Sequence, residues 1–281
     1  MKITTIEQNI LIGSILGDGN LALYGRSKNA HYREHGAFYQ LPYRMWKCNK
    51  LKNLKFKIRE NEKYPSLVSP SHPIFTKLYN KFYINNRKSL TKENIKMLNH
   101  PIGLACLYMD DGSLVIDSSK KSNKIYLFPR IAIYTLNFTK EENMLLIEHI
   151  KNIFNIKFKL KESPYGTKYL LELNKRNEIM KFINIVKPYV ENIKCMKYKI
   201  EVEERMNNKY NELLKENIEE KIVISPLHVK NKNYTKEEEN LIISLKLKGV
   251  KDKEIAKIIG KTYYGVVDKI RRLRKEGKLP H

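Results

Sequence analysis

Two stretches of the chain are apolar with almost no polar interruption, Leu11 to Leu16 and Leu104 to Met109. Both are salted with small residues, Gly13, Ser14 and Gly17 in the first and Ala105 and Cys106 in the second. Both end in an acidic residue followed by glycine, Asp18–Gly19 and Asp111–Gly112. A capping-box pattern at Thr5 and Gln8 predicts the start of one helix, and Pro101 marks the start of the other. The glycine after each carboxylate suits a helix C-terminus, where a left-handed conformation is cheap for glycine. An aspartate at that end is opposed by the helix dipole, so it is a poor choice for stability, and a bound cation would reverse the penalty.

The pattern changes between and after these stretches. Asn20 to Tyr43 lacks helical periodicity and predicts strands and a loop. His31 and His35 lack the helical setting or further ligands of a zinc site, so they are read as facing solvent or phosphate. Pro42 to Glu60, with Met45, Leu51, Leu54 and Ile58, predicts an amphipathic helix with a basic polar face. Ile74, Phe75, Leu78 and Phe82 predict a core-facing helix, followed by a polar turn at Asn85, Asn86, Arg87 and Lys88. After the second acidic stretch, Leu114–Ile116, Lys124–Phe128 and Arg130–Tyr134 predict short strands. A capping box at Thr139 and Glu142 opens a helix through Phe154. Phe158–Leu160 and Tyr169–Leu173 predict strands around a turn at Pro164, Tyr165 and Gly166. Ile179, Met180, Ile183 and Val186 predict a helix ending near Pro188, and residues 199–220 a charged helix.

The order acidic helix, strands, helix, strands, helix therefore occurs twice, which implies a duplicated domain. Duplication across a pseudo-twofold axis would set the two small-residue helices side by side and bring Asp18 and Asp111 together. The boundaries expected are 1–98 for the first repeat, 99–221 for the second with a trailing helix, 222–233 for a linker, and 234–281 for a separate module. That module has a capping box at Thr235 and Glu238 and apolar residues that predict three short helices. Gly260 between the second and third matches a helix-turn-helix. Tyr263, Tyr264, Lys269, Arg271, Arg272 and Arg274 on its last helix are the candidate groove and phosphate contacts.

Composition sharpens the picture. At 281 residues, with 42% hydrophobic and 10% aromatic residues, the chain is globular. Its 54 Lys+Arg against 30 Asp+Glu give a net charge of +24, a field that seeks polyanions, so nucleic acid is the expected partner. Cys48, Cys106 and Cys195 show no metal-ligand spacing and no disulfide framework. Met1–Asn9 has no apolar signal core and no run approaches a membrane span, so a soluble intracellular protein without a membrane partner is expected, in the cytoplasm or an organelle matrix.

Two ionised carboxylates brought close together need a cation, since otherwise one pKa is pushed up. Magnesium suits them, with manganese expected to substitute: it takes oxygen ligands and shares its shell with water and phosphate. Such a site supports phosphodiester hydrolysis. Asp18 and Asp111 are therefore the candidate metal ligands. Lys88 and Lys199, each following the last helix of its repeat, are candidates for stabilising charge at the scissile phosphates. Arg87 and Lys197 are the competing neighbours.

The stretches ending in Asp18–Gly19 and Asp111–Gly112 resemble the paired motifs of LAGLIDADG homing endonucleases of the monomeric, two-repeat, intron-encoded kind. The likeness covers roughly residues 6 to 205. It implies an α+β fold of two αββαββα repeats forming a DNA-binding saddle, with the small all-α module appended. It also implies that Asp18 and Asp111 hold metal, whereas Asp110 is a helix-end neighbour and no ligand. The Asn-Asn-basic-Lys turn and the Met-x-Tyr-Lys segment carry the likeness to Lys88 and Lys199. The family implies curved sheets in the major groove, reading a long asymmetric duplex site, and cleavage of both strands leaving 3′ overhangs. Arg26, Lys28, Arg33 and Arg130 are the candidate contacts on those strands. Two other readings compete. A WhiA-type transcription regulator also joins such a core to a helix-turn-helix but lacks the acids, and an RNA maturase would add intron RNA as a partner. No splice-junction blocks flank the motif region, so an intein is not expected.

Overall fold

The computed structural model describes residues 3–23, 27–60, 64–163, 166, 168–216, 220–224 and 234–280. Two compact units divide the chain, residues 1–227 and 228–281.

The larger unit contains the same αββαββα order twice. The first half runs α1 (Thr5–Leu16), β1 (Asn20–Ala22), β2 (His31–His35), α2 (Leu41–Lys50), β3 (Lys57–Arg59), β4 (Ser66–Val68) and α3 (Pro73–Phe82). A hairpin follows, β5 (Tyr83–Ile84) and β6 (Arg87–Lys88). The second half runs α4 (Pro101–Asp111), β7 (Gly112–Lys121), β8 (Lys124–Ile133), α5 (Lys140–Phe154), β9 (Lys159–Glu162), β10 (Tyr169–Leu173) and α6 (Arg176–Val190), then α7 (Val202–Lys215) and β11 (Lys221–Ile224). Each half makes an antiparallel sheet with the same neighbour order, β1-β2-β4-β3 and β7-β8-β10-β9. The motif helices α1 and α4 pack on each other and are buried nearly all round, as their uninterrupted apolar runs require.

Several local expectations are corrected. The box that caps α1 is Thr4 with Glu7, one residue ahead of Thr5 and Gln8, because Glu7 can also take the Thr4 hydroxyl and N–H, at 2.9 Å each. Gly19 and Gly112 are not left-handed. Glycine is needed there for space, since a Cβ would lie 2.4 Å from the Tyr32 hydroxyl at Gly19 and 1.9 Å from the Tyr108 ring at Gly112. The helix expected over 42–60 stops at Lys50, and Ile58 lies on β3. The strands expected over 114–134 are two ten-residue strands joined at Ser122 and Asn123, whose φ of 47° and 55° make the tight turn a hairpin needs. Pro129 sits within β8 opposite Ile116. Helix α6 continues past Pro188 to Val190. Residues 222–224, expected to be linker, are strand: β11 pairs parallel with the first half of β8, beyond the stretch of β8 that pairs with β10. The rest of the expected linker, and Pro164 and Tyr165 of the expected turn, lie outside the described residues.

Among the described residues the smaller unit has three helices, α8 (Lys236–Leu247), α9 (Asp252–Ile258) and α10 (Tyr263–Lys275). Thr235 and Glu238 form the capping box of α8. Gly249 and Gly260, at φ 79° and 64°, supply the left-handed residues that end α8 and α9. Ile242, Ile255, Ala256, Val266, Ile270, Leu273 and Leu279 form its core.

Candidate functional site

The site is built by how closely α1 and α4 approach. A Cβ on Gly13 would lie 2.1 Å from the Gly103 carbonyl oxygen and 3.0 Å from the Cys106 Cβ, so the helices touch backbone to backbone there. One turn on, a Cβ on Gly17 would lie 2.5 Å from that of Asp110. The opposite ends are latched by buried Asn9, whose Oδ1 accepts from the Asn99 and His100 N–H groups, each at 2.9 Å. Gly13, Ser14, Gly17, Ala105 and Cys106 carried this expectation from the sequence, and Gly103 was missed because it lies outside the apolar run.

The crossing delivers both acids to one place. Asp18 is exposed just past α1, and Asp111, half-buried, ends α4. Burial and then the charge of Asp18 push the Asp111 carboxyl up to about 7, against the pull of Lys88, Lys199 and Lys47. Those lysines come from different elements. Lys88, on the β5–β6 hairpin, donates to the Gly17 carbonyl at 2.8 Å. Asn85 and Asn86, at φ 51° and 60°, make the tight turn that aims it. Lys199, in the turn before α7, is buried and donates to the Met109 carbonyl at 2.5 Å, while the Tyr108 hydroxyl donates to the Lys199 carbonyl at 2.6 Å. Burial lowers both lysine pKa values; Asp111 opposes most at Lys88, and Asp110 at Lys199. Lys197 is exposed and is not brought to the motif ends. Arg87 points elsewhere, grasping both oxygens of Glu142 at 2.9 and 3.1 Å. Burial would raise the Glu142 pKa, but hydrogen bonds from the Thr139 N–H, Arg87 and the Leu90 N–H outweigh it and hold it down. The hairpin that presents Lys88 is thus clamped to the second half.

Asp110 is more than the expected helix-end neighbour. Its carboxylate accepts from the Lys47 ammonium at 2.9 and 3.1 Å, and Lys47 also donates to Glu34 at 2.7 Å, with all three side chains fully buried. The Tyr32 hydroxyl donates to Glu34 at 2.6 Å. Burial pulls the Lys47 pKa down, but Asp110 and Glu34 outweigh it and hold the ammonium charged. The basic face expected of this helix is therefore partly turned inward, with Arg44 and Lys47 in the core. Lys47 shares a helix face with Tyr43, four residues earlier, and sits 4.4 Å from the centre of its ring. A lysine on the face of an aromatic was the available signal.

The candidate nucleic-acid residues are less uniform. Arg26 lies outside the described residues. Lys28 is exposed, and Arg33 is half-buried on β2 opposite Asn20 and Val68. Arg130, on β8, is held by Asp117 at 2.5 and 3.2 Å and by Glu172 at 3.5 Å. In the smaller unit Tyr263, Tyr264 and Arg272 are exposed, Arg271 is exposed and pairs with Asp268, and Arg274 donates to the Pro280 carbonyl. Lys269 pairs with Glu239 and lies 5.7 Å from the Tyr234 ring centre, so it too is engaged within the unit.

Two αββαββα halves, joined through small-residue helices that each deliver an aspartate, with half-buried Lys88 near one and buried Lys199 near the other, define the two-repeat LAGLIDADG class. Residues 8–182 match the LAGLIDADG DNA endonuclease family, and the chain belongs to that family. It is 25% identical over 223 residues to the DNA endonuclease I-ChuI of Chlamydomonas applanata, covering 71% of this chain and 96% of that protein. It is 28% identical over 204 residues to Protein RecA of Mycolicibacterium flavescens, 71% of this chain but only 47% of the relative, so it spans about half of that protein's length. The structure of the homing endonuclease I-WcaI bound to its DNA recognition sequence shares the fold at TM-score 0.58 and 23% identity, over 71% of this chain and 88% of that one. Among the described residues no helix is long and apolar enough to cross a membrane.

Proposed function

We propose that the chain is a site-specific double-strand DNA endonuclease of the homing type, acting as a monomer and leaving 3′ overhangs. The observation that carries this is the meeting of Asp18 and Asp111, with Lys88 and Lys199 on the carbonyls beside them. Among the described residues no group of three or more His, Cys, Asp or Glu side chains could enclose an ion. Two carboxylates, one pushed up to about 7 by burial and its neighbour, instead form an open, oxygen-only site that gains from a cation completed by water and phosphate oxygens, which fits magnesium or manganese. Asp18 and Asp111 would hold it, and when bound it would supply Lewis-acid activation at the scissile phosphates.

The remaining work falls to the chain's own groups. Lys88 and Lys199, fixed by backbone carbonyls, sit where they can stabilise charge developing on a phosphate or hold the attacking water in line. The two sheets offer side chains to the duplex, with Lys28, Arg33 and Arg130 as contacts. The smaller unit adds a helix-turn-helix contact through Tyr263, Tyr264, Arg271, Arg272 and Arg274.

The test is selective cleavage of a plasmid library carrying randomised target sites, with purified protein and magnesium, followed by sequencing of the cut ends. A discrete long site with 3′ overhangs is expected, and Asp18→Asn and Asp111→Asn should abolish cutting while retaining binding. Unselective cutting, or acid variants as active as the parent, would overturn the assignment. Tight binding without any cutting would favour a transcription regulator instead.

A further inference from the structure

Asp110 stands one residue before Asp111, yet its side chain turns away into the first half of the protein. It is received there by Lys47 of α2, and Lys47 in turn is received by Glu34 of β2, through contacts of 2.7–3.1 Å in which no side chain is exposed. The chain does not stop at Glu34. The Tyr32 hydroxyl donates to it at 2.6 Å, and the Arg44 Nε lies 3.6 Å away, its guanidinium pinned by donation to the His35 carbonyl at 2.7 Å.

Burying two carboxylates and two cations is costly, and apolar residues of similar size would stabilise the same volume at least as well. Stability alone therefore does not explain the network. Its geometry does suggest a role. Asp110 fits against α1 only because Gly17 has no side chain, and the Asp111 carbonyl is strapped by the Tyr134 N–H at 2.9 Å. The end of α4 is thereby fixed on two sides, from the first half's sheet through Lys47 and from its own sheet through Tyr134. The Lys47 ammonium also acts electrostatically on Asp111. At a site built on the carboxylates of Asp18 and Asp111, the angle at which the second is presented decides whether both oxygens reach a shared ligand.

We propose that Glu34, Lys47 and Asp110 form a positioning network that sets the Asp111 carboxylate relative to Asp18 from the opposite half of the molecule. None of the three touches DNA or metal. This rests on the reading of Asp18 and Asp111 as the metal-binding pair.

The experiment uses Asp110→Asn, which keeps the shape and one acceptor for Lys47, and the double variant Lys47→Met with Asp110→Leu, which removes the facing charges together. Three quantities are measured on the full chain with a selected target duplex: affinity in EDTA, manganese binding to the protein–DNA complex by EPR of the free ion, and single-turnover cleavage against magnesium concentration. Both variants should bind duplex within about twofold of the parent, since phosphate and base contacts are untouched. Manganese should bind about fivefold or more weakly, the magnesium midpoint should rise, and cleavage should fall roughly a hundredfold, the cost of an ångström-scale misplacement. If both variants bind manganese and cleave as the parent does, the network is only structural and the proposal fails. If the double variant recovers parental cleavage while Asp110→Asn does not, the charges merely balance one another, and positioning is again refuted. A parent that neither binds manganese nor cleaves would bring down the paired-carboxylate reading, and the network's role with it.

Discussion

Replacing Gly13 by alanine puts a single methyl group into the tightest point of the α1–α4 crossing. On an isolated helix this change is favourable, since alanine exceeds glycine by about 1 kcal/mol. Here the new Cβ would sit 2.1 Å from the Gly103 carbonyl oxygen and 3.0 Å from the Cys106 Cβ. The nearest atom is backbone and cannot rotate away, so the helices must part by roughly 1 Å to reach contact distance. Overpacking of this kind costs about 1–3 kcal/mol, and with no flexible neighbour to yield, the upper half of that range applies. The clash therefore outweighs the propensity gain, leaving a net loss of about 1–2 kcal/mol. In a unit of this size the melting temperature should fall by roughly 2–8 °C. Because Asp18 and Asp111 ride on the two helices, single-turnover cleavage should fall further than stability does, by up to about a hundredfold. Thr5→Ala, at an exposed position on the same helix, is the control and should leave both unchanged or slightly raise the melting temperature. A Gly13→Ala protein that melts no lower than the parent and cuts at its rate would refute the backbone-to-backbone crossing.

Three further outcomes are expected. Between the ordinary carboxyl value of 3.8 and about 7, Asp111 keeps a proton in the folded chain that it loses when unfolded, so metal-free stability should fall as pH rises through that window. The shift is worth up to about 4 kcal/mol; magnesium should raise the melting temperature more at pH 8 than at pH 5, and equal gains in calorimetry would refute the assignment. Glu142→Gln weakens the clamp on the β5–β6 hairpin and should slow cleavage roughly tenfold through Lys88 with duplex affinity unchanged; parental rates would show that Arg87 anchors nothing of consequence. Deleting residues 234–281 should weaken duplex binding and flatten its dependence on salt while leaving cleavage at saturating protein intact, and an unchanged salt slope would remove the unit from the DNA contact.

What the sequence reveals and what it hides divide along a physical line. Helices announce themselves by periodicity and caps, so α3, α5 and α8 stand close to where the spacing from Ile74 to Phe82, Thr139 and Thr235 put them. The duplication was legible because both apolar helices break the rule against acids at a C-terminus. The long β7–β8 hairpin was read as fragments because Pro129 is an ordinary strand breaker, and only pairing with Ile116 across the sheet overrides it. The pairing of β11 with β8 is a long-range contact with no local signature. The buried network was hidden for a related reason: Lys47 and Glu34 are surface residues by type, and the interior is tolerable for them because they pair with each other and Lys47 also pairs with Asp110 from the other half. Arg87 likewise turned from a competing catalytic candidate into an anchor once Glu142 stood opposite.

The facing of Gly17 and Asp110 bears on how such a chain could be recombined. They occupy equivalent places in the two motifs, and one lacks a side chain where the other has a carboxylate with a dedicated receptor. A symmetric pair of first halves would set glycine against glycine and leave Lys47 short of an acid. A pair of second halves would press two Asp110 carboxylates together without Lys47 between them. The halves have ceased to be interchangeable parts, and a chimaera built from related proteins would have to carry Asp110 across together with Gly17, Lys47 and Glu34.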